Sequence, residues 1–383
     1  MQFYFATSNC ILFGPGSFAA VPNIAVSLGQ RPFIVISSKE RAPSLLDGLS
    51  ATGLSSTYYQ AKREPDLASV NLAMRYAKEA DCDMVIAIGG GSTLDTGKAV
   101  AALLTNPGQL LDYLEIIGKG LPLKKPAAPF IAIPTTSGTG SEVTRNAVIS
   151  VPEQHLKVSL RSPYLLPSYS VIDPMLTYSL PPAVTAFTSL DALTQVIEPF
   201  VCNATNPLTD TFCRDGISRA AYATKKAYHH GQDADAREQM SLISLYGGMA
   251  LANARLGAVH GLASPLGGMI PAPHGAICAR LLPIVMEKNL KALQARQPES
   301  PALGRYWEIS RLLTGNQSAD PSDGATWVQS LCDELNIRPL AEFGLQPDIF
   351  PEIISQSRNA SSMKGNPVIL TNSELQEILE RAI

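Results

Sequence analysis

Four short runs in the first half of the chain are apolar at nearly every position. They are Pro32–Ser37 (PFIVIS), Asp83–Gly90 (DMVIAIGG), Pro129–Thr136 (PFIAIPTT) and Tyr169–Pro174 (YSVIDP). Short runs rich in Ile and Val, without in–out alternation, predict strands buried on both faces. Between the first two, Leu67–Ala80 (LASVNLAMRYAKEA) spaces its apolar residues as an amphipathic helix does. Strands of this kind separated by helices predict a parallel sheet with helices packed on each side. From about Pro181 the texture changes to long helical stretches, Ala183–Val201, Thr209–His230 and Asp235–Arg255, and strand-like runs disappear. The expectation is therefore an α/β domain over residues 1–180 and an all-helical domain over residues 181–383.

Composition narrows the class. A hydrophobic content of 45% against 16% charged residues suits a well-buried globular chain and not a disordered one. A formal net charge of −3, with no long basic block, argues against a nucleic-acid partner. No apolar run approaches the ~20 residues of a membrane span, so no membrane partner is expected. The start, MQFYFATSNC, lacks the basic-then-apolar order of a secretion signal. Cys10, Cys82, Cys202, Cys213, Cys278 and Cys332 are scattered with no CxxC pair, which points to reduced thiols and a cytoplasmic protein.

Two loops carry candidate chemistry. Gly89, Gly90, Gly91 and Ser92 follow one predicted strand directly and open a helix, TLDTGKAVAALL. Glycines there let the backbone approach a ligand, and the free N–H groups at the helix start favour an anion such as a diphosphate. The common fingerprints fail: Leu94 stands where GxGxxG needs its third glycine, and Gly97-Lys98 is followed by Ala99 where a Walker loop needs Ser or Thr. A tight turn that merely needs glycine is the plainer alternative. The next loop, Pro134–Thr144 (PTTSGTGSEVT), offers many hydroxyls and no basic residue. That suits a dinucleotide better than a free polyanion, with an ordinary Ser/Thr-rich surface loop as the alternative.

Histidine is rare, with five in the chain, yet His260 and His274 both fall within GAVHGLASPLGGMIPAPHG, on either side of a Gly/Pro turn. His229 and His230, beside Lys225 and Lys226, read as a solvated helix end, and His155 reads as a loop residue.

Several motifs occur together in one order: FGPGS from Phe13, GGGSTLDTGKA, PTTSGTGSEVT, LKVSLRSPYLLPSYSVIDPMLTYSLP, LDALTQVIE with NPLTD, and the histidine stretch, reaching Pro283. In these the chain resembles the iron-containing (group III) alcohol dehydrogenases. The resemblance implies a Rossmann-like dinucleotide-binding domain, a helical metal and substrate domain, and a dehydroquinate-synthase-like architecture with cofactor and metal in the cleft between the domains. It implies a metal-dependent oxidoreductase that transfers a hydride between NAD or NADP and a small alcohol or aldehyde, assembled as a homodimer. Carried over by position, it implies that Gly90, Gly91 and Ser92 contact the pyrophosphate and that Asp95 lies on the helix behind them. Thr135, Thr136, Thr139 and Thr144 would line the cofactor, Lys157 would reach a ribose, and Leu180 would lie near the nicotinamide. After the strand IVIS, members that prefer NAD often carry an Asp, whereas this chain has Ser37 and Ser38, with Lys39 and Arg41 close behind. Loss of that carboxylate removes repulsion against a 2′-phosphate, which favours acceptance of NADP.

The resemblance also implies one divalent metal, Fe²⁺ or Zn²⁺, held by an Asp and a His one helical turn apart and by two further histidines. The Asp falls on Asp191 and the last two on His260 and His274, which are also the candidate catalytic histidines. The remaining position is Gln195, a neutral and weaker donor than imidazole. Three readings follow. Gln195 is a fourth ligand or holds a water; the site has lost its metal and reduces a carbonyl without it, in the manner of maleylacetate reductases; or the histidines are structural. A further family His that relays protons is here Ser264. The related cyclases need a basic cluster around a phosphate-bearing substrate, and residues 181–283 hold none. Phe187, Phe200 and Met269 are candidates to line the substrate pocket.

Overall fold

The computed structural model describes residues 2–61, 64–154 and 156–383; His155, read above as a loop residue, lies outside them. The chain divides into two compact units. One spans Ala6–Thr136 and Gly140–Thr177; the other comprises Tyr178–Ile383 together with Ser137–Thr139 and the stretch ending at Phe5.

The first unit is built on a parallel sheet. Its strands are β1 (Cys10–Phe13), β2 (Pro32–Ile36), β3 (Thr57–Gln60), β4 (Met84–Gly89), β5 (Phe130–Pro134) and β8 (Tyr169–Ile172), in the order β1-β8-β5-β4-β2-β3. An antiparallel pair, β6 (Asn146–Val151) and β7 (Leu156–Arg161), stands apart from it. The helices are α1 (Val21–Val26), α2 (Ala42–Ala51), α3 (Leu67–Glu79), α4 (Gly91–Thr105) and the short α5 (Leu110–Tyr113). Alternate residues of one strand enter different cores, as the pleat requires. Ile34, Ile36, Ile86 and Ile88 pack with Leu45 and Leu49 of α2, whereas Phe33, Val35, Val85 and Ala87 pack with Val70 and Ala73 of α3 and Ala99 of α4. This double burial is why β2, β4 and β5 read as unbroken apolar runs. The same winding positions a ligand site. The chain leaves β2 through α2 toward β3 on one side and leaves β4 through α4 toward β5 on the other, on opposite faces of the sheet. The crevice outside the carboxyl ends of β2 and β4 is thus the switch point at which such sheets bind ligands.

The second unit is helical: α6 (Pro182–Val201), α7 (Pro207–His229), α8 (Ala234–Asn253), α9 (Ala258–Met269), α10 (His274–Arg296), α11 (Pro301–Thr314), α12 (Asp323–Glu334), α13 (Phe350–Asn359) and α14 (Asn372–Ala382). Helix α6 starts with Pro182 at its first turn, where the missing N–H costs nothing. It runs through the middle of the unit against α7, α8 and α10. Every residue from Ser189 to Val201 is buried, so the polar side chains among them must find partners inside. Among the described residues no single helix is long and apolar enough to cross a membrane.

Candidate metal centre and cofactor loops

Asp191 and His260 are both nearly inaccessible, at 2% and 8% exposure, yet they face each other across two helices. His260 Nε2 lies 3.5 Å from Asp191 Oδ1, and His274 Nε2 lies 3.8 Å from the same oxygen. The arrangement depends on how α10 begins. Pro273 caps the helix and His274 is its first residue, so the ring projects from the helix start. Gly275 follows, and a Cβ there would stand 2.5 Å from the backbone oxygen of Phe187 on α6. Only glycine lets α10 start this close to α6, one turn before Asp191.

A fourth donor, which sequence reasoning left among the scattered thiols, completes the cluster. Cys278 sits one turn after His274 on the same face of α10. Its Sγ is 3.6 Å from His274 Nε2 and 3.9 Å from His260 Nε2. The donor atoms of Asp191, His260, His274 and Cys278 all lie within 4.8 Å of one another. Metal–ligand bonds of about 2.0–2.3 Å at tetrahedral angles imply donor separations of about 3.3–3.8 Å, close to those seen here. Asp191 Oδ1 is also buried with no hydrogen-bond partner. A carboxylate oxygen held out of water without a donor is expensive, and a divalent cation satisfies it. The donor set and the orphaned oxygen both fit a bound metal.

A second residue missed from the sequence is Glu198, buried on α6 two turns after Asp191. Its Oε2 lies 2.7 Å from His260 Nδ1, and its Oε1 accepts from Val259 N at 2.6 Å. The carboxylate therefore caps the start of α9 and takes the Nδ1–H of His260, which leaves the Nε2 lone pair toward Asp191 and Cys278. Asn366 shares the capping task, accepting from Ala258 N at 3.0 Å. A Glu seven positions after a candidate ligand, on the same face of a mostly apolar helix, was the available signal.

Gln195 behaves differently from the other expected ligands. Its Nε2 donates to Gly138 O at 2.8 Å, and its Oε1 is buried without a partner. Ser137 Oγ lies 3.2 Å from Ser241 Oγ, so this part of the PTTSGTGSEVT loop is docked onto α6 and α8. Phe200, a candidate to line the substrate pocket, is instead fully buried core. The guanidinium groups of Arg305 and Arg214 stand 4.9 and 5.3 Å from its ring centre.

The electrostatics follow from this packing. Burial disfavours the charged imidazolium of His260, but Cys278, Asp191 and Glu198 outweigh it and hold its pKa well above the ordinary value. His274 is raised in the same way, against burial, by Cys278 and Asp191. Burial works to raise the carboxyl of Asp191, yet the nearby imidazoles of His260 and His274 bring it below its usual range. Clustered negative groups that hold protons on two histidines would attract a dication just as readily.

In the first unit, Gly90 caps α4 in an extended conformation with no side-chain cap, so the amides of Gly91 and Ser92 have no capping oxygen. Gly89 leads into this turn, and a Cβ there would collide with Thr93 and come within 2.9 Å of Ser37 Cβ. Ser37 and the glycine turn thus meet at the switch point. A Cβ on Gly90 would stand 3.4 Å from Thr136, and Thr135 N bonds to Gly89 O at 2.9 Å. Three other expected cofactor residues are committed elsewhere. Asp95 accepts from Ser141 Oγ at 2.6 Å and Val148 N at 2.9 Å, 3.7 Å from the fully buried Lys98. Lys98 in turn donates to Thr144 Oγ1 and Ser141 Oγ, each at 2.8 Å. These bonds pin the Ser141–Thr144 segment to α4. Lys157 forms an ion pair with Glu64 at 2.7 Å. Thr139 and Leu180, each half-buried, belong to the helical unit.

Two family models cover almost the whole chain: the iron-containing alcohol dehydrogenase model matches residues 8–174, and its C-terminal model matches residues 185–383. The chain belongs to the iron-containing alcohol dehydrogenase family. Alcohol dehydrogenase 4 of Saccharomyces cerevisiae is 34% identical over 377 residues, covering 97% of this chain and 96% of the yeast protein. The solved structure of an alcohol dehydrogenase from Oenococcus oeni superposes with a TM-score of 0.91 at 31% identity over 100% of both chains. A sulfoacetaldehyde reductase from Bifidobacterium kashiwanohense, solved in complex with NAD⁺, superposes with a TM-score of 0.87 at 26% identity, covering 99% and 98% of the two chains. This member of the iron-containing alcohol dehydrogenases is accordingly an oxidoreductase that transfers a hydride between a nicotinamide dinucleotide and a small alcohol or aldehyde.

Proposed function

We propose that the chain interconverts a small alcohol and its aldehyde with NADP as the favoured dinucleotide, using a divalent cation, Fe²⁺ or Zn²⁺, held by Asp191, His260 and His274. The observation that carries this reading is the convergence of those three donors on one buried point around a carboxylate oxygen that has no other partner. When bound, the cation supplies Lewis acidity toward the substrate oxygen. The side chains do the positioning: Glu198 fixes the tautomer and orientation of His260, and Pro273 and Gly275 aim His274. Oxidation removes a hydride from the carbinol carbon and a proton from the hydroxyl, and reduction returns both.

For the dinucleotide, Gly90, Gly91 and Ser92 are assigned to the pyrophosphate, with Thr135, Thr136, Thr139 and Leu180 as further cofactor contacts. Asp95, Thr144 and Lys157 act as positioning residues, since their polar atoms already hold α4, the loop and Glu64. The NADP preference rests on Ser37 at the end of β2 and on the nearby exposed Lys39. Six unpaired cysteines fit a reducing compartment such as the cytoplasm, and the homodimer implied by the family is tested by light scattering on the purified chain.

The deciding experiment is elemental analysis of protein purified without chelator, followed by chelation and readdition of Fe²⁺ or Zn²⁺ in an NADPH-dependent aldehyde reduction assay. Bound metal, loss of activity on chelation and recovery on readdition support the reading. Full activity in metal-free protein favours the metal-independent reductase reading that Gln195 raises.

A further inference from the structure

Resting on the metal site proposed above, this inference concerns its fourth donor. At the α6 position where the family resemblance expects a histidine, Gln195 stands with its amide nitrogen bonded to Gly138 O. From the opposite side of the cluster, α10 brings in Cys278. The thiol is fully buried, one helical turn from His274, and its Sγ stands 3.6 and 3.9 Å from the two imidazole nitrogens. Asp191 is 2% exposed with Oδ1 lacking a hydrogen-bond partner, and its carboxylate lies within 4.8 Å of the same sulfur. Four donors from three helices surround one point, and the fourth is sulfur.

We propose that Cys278, as a thiolate, is the fourth protein ligand of the metal, supplied by α10 where relatives draw a histidine from α6, and that this makes the chain a zinc enzyme within an iron-named family. On binding, the S–H bond breaks, a metal–sulfur bond forms and the thiol proton leaves to the buffer. No oxidant or reductant takes part. The selectivity follows from donor chemistry: thiolate with imidazole suits Zn²⁺, whereas a set of imidazole and carboxylate alone also suits Fe²⁺. The four separations of 3.5–3.9 Å suit a compact tetrahedral site, and imidazole and sulfur donors do not suit the hard, oxygen-seeking cations.

The test is cobalt substitution of the full-length protein, read by absorption spectroscopy and without reference to activity. Co²⁺-loaded wild type is expected to show an intense near-ultraviolet sulfur-to-cobalt charge-transfer band. The band should vanish in Cys278→Ser and persist in Gln195→Ala. Zinc affinity, from chelator competition, should fall by at least about 100-fold in Cys278→Ser, because a direct ligand matters at least as much as an outer hydrogen-bond partner. Bound cobalt showing only weak ligand-field bands overturns the role of Cys278 and leaves the three-donor site standing. No cobalt bound to wild type overturns the metal site itself. Where Cys278→Ser fails to fold, X-ray absorption at the zinc edge of wild type serves instead. A sulfur scatterer at about 2.3 Å supports the assignment, and nitrogen and oxygen alone at about 2.0–2.2 Å overturn it. Protein expressed with equal zinc and iron should retain zinc; predominant retention of iron defeats the selectivity.

Discussion

His260 Nδ1 lies 2.7 Å from Glu198 Oε2, and the other oxygen of that carboxylate accepts from the backbone of Val259, the residue just before the histidine. One buried side chain therefore sets both the start of α9 and the orientation of the imidazole that α9 presents. Helix position and ligand orientation are linked through a single group.

Glu198→Gln should keep most of the packing while losing the charge that favours a proton on Nδ1. The expected result is a 10–100-fold loss of metal affinity with near-native helicity, measured by chelator competition and circular dichroism. Unchanged affinity would show that the contact serves only the cap. Glu198→Ala, which also uncaps α9, should lower stability by about 1–3 kcal/mol.

Asp191→Asn keeps the shape and removes the charge from the oxygen that both histidines face. Several kcal/mol of transition-state stabilisation are assigned to the cation, so kcat should fall by about 100-fold or more, with metal lost on dialysis. A variant that retains both metal and turnover contradicts the site.

Ser37→Asp places a carboxylate where β2 ends beside the glycine turn. It should lower kcat/KM for NADPH relative to NADH by about tenfold or more, the equivalent of ~1.4 kcal/mol of repulsion against the 2′-phosphate. Equal effects on both cofactors would place the 2′ position elsewhere.

Glu142, buried beside the Lys98 network, has its pKa pushed up by burial from 4.5 to about 7, partly offset by its own backbone and by Lys98. The folded state thus holds this proton more tightly than the unfolded chain does. Its contribution to stability is complete below about pH 4.5 and is lost as pH rises through about 7. Glu142→Gln should therefore raise Tm relative to wild type more at pH 8.5 than at pH 6. A gap in Tm that does not change with pH, followed by thermal denaturation in two buffers, rules this out.

How far each feature could be read in advance depended on how local its cause is. Strands β2, β4 and β5 were legible because a strand covered on both faces must be apolar at nearly every position, and that leaves a mark in consecutive residues. Edge strands β1 and β3 left none: with four residues each and one open flank, CILF and TYYQ satisfy no strong local pattern. The antiparallel β6 and β7 alternate buried and open positions, a signal that was present but obscured by the surrounding polar loop.

The same division holds at the site. The glycine turn after β4 and the prolines before His274 act on their own backbone, so residue order alone announces them. The family resemblance marked Asp191, His260 and His274, but no local rule reveals which side chains face them. Glu198 and His260 are separated by 62 positions, and Cys278 meets His260 across 18. Those pairings exist because α6, α9 and α10 pack at one angle and one depth, with Gly275 permitting the approach. Likewise, the bond from the Gln195 amide nitrogen to Gly138 O spans 57 positions and is set by the fold, with no local pattern to announce it. Backbone conformation is decided by neighbours along the chain, whereas the surroundings of a buried polar atom are decided by whichever helices pack around it, and only the assembled core specifies those.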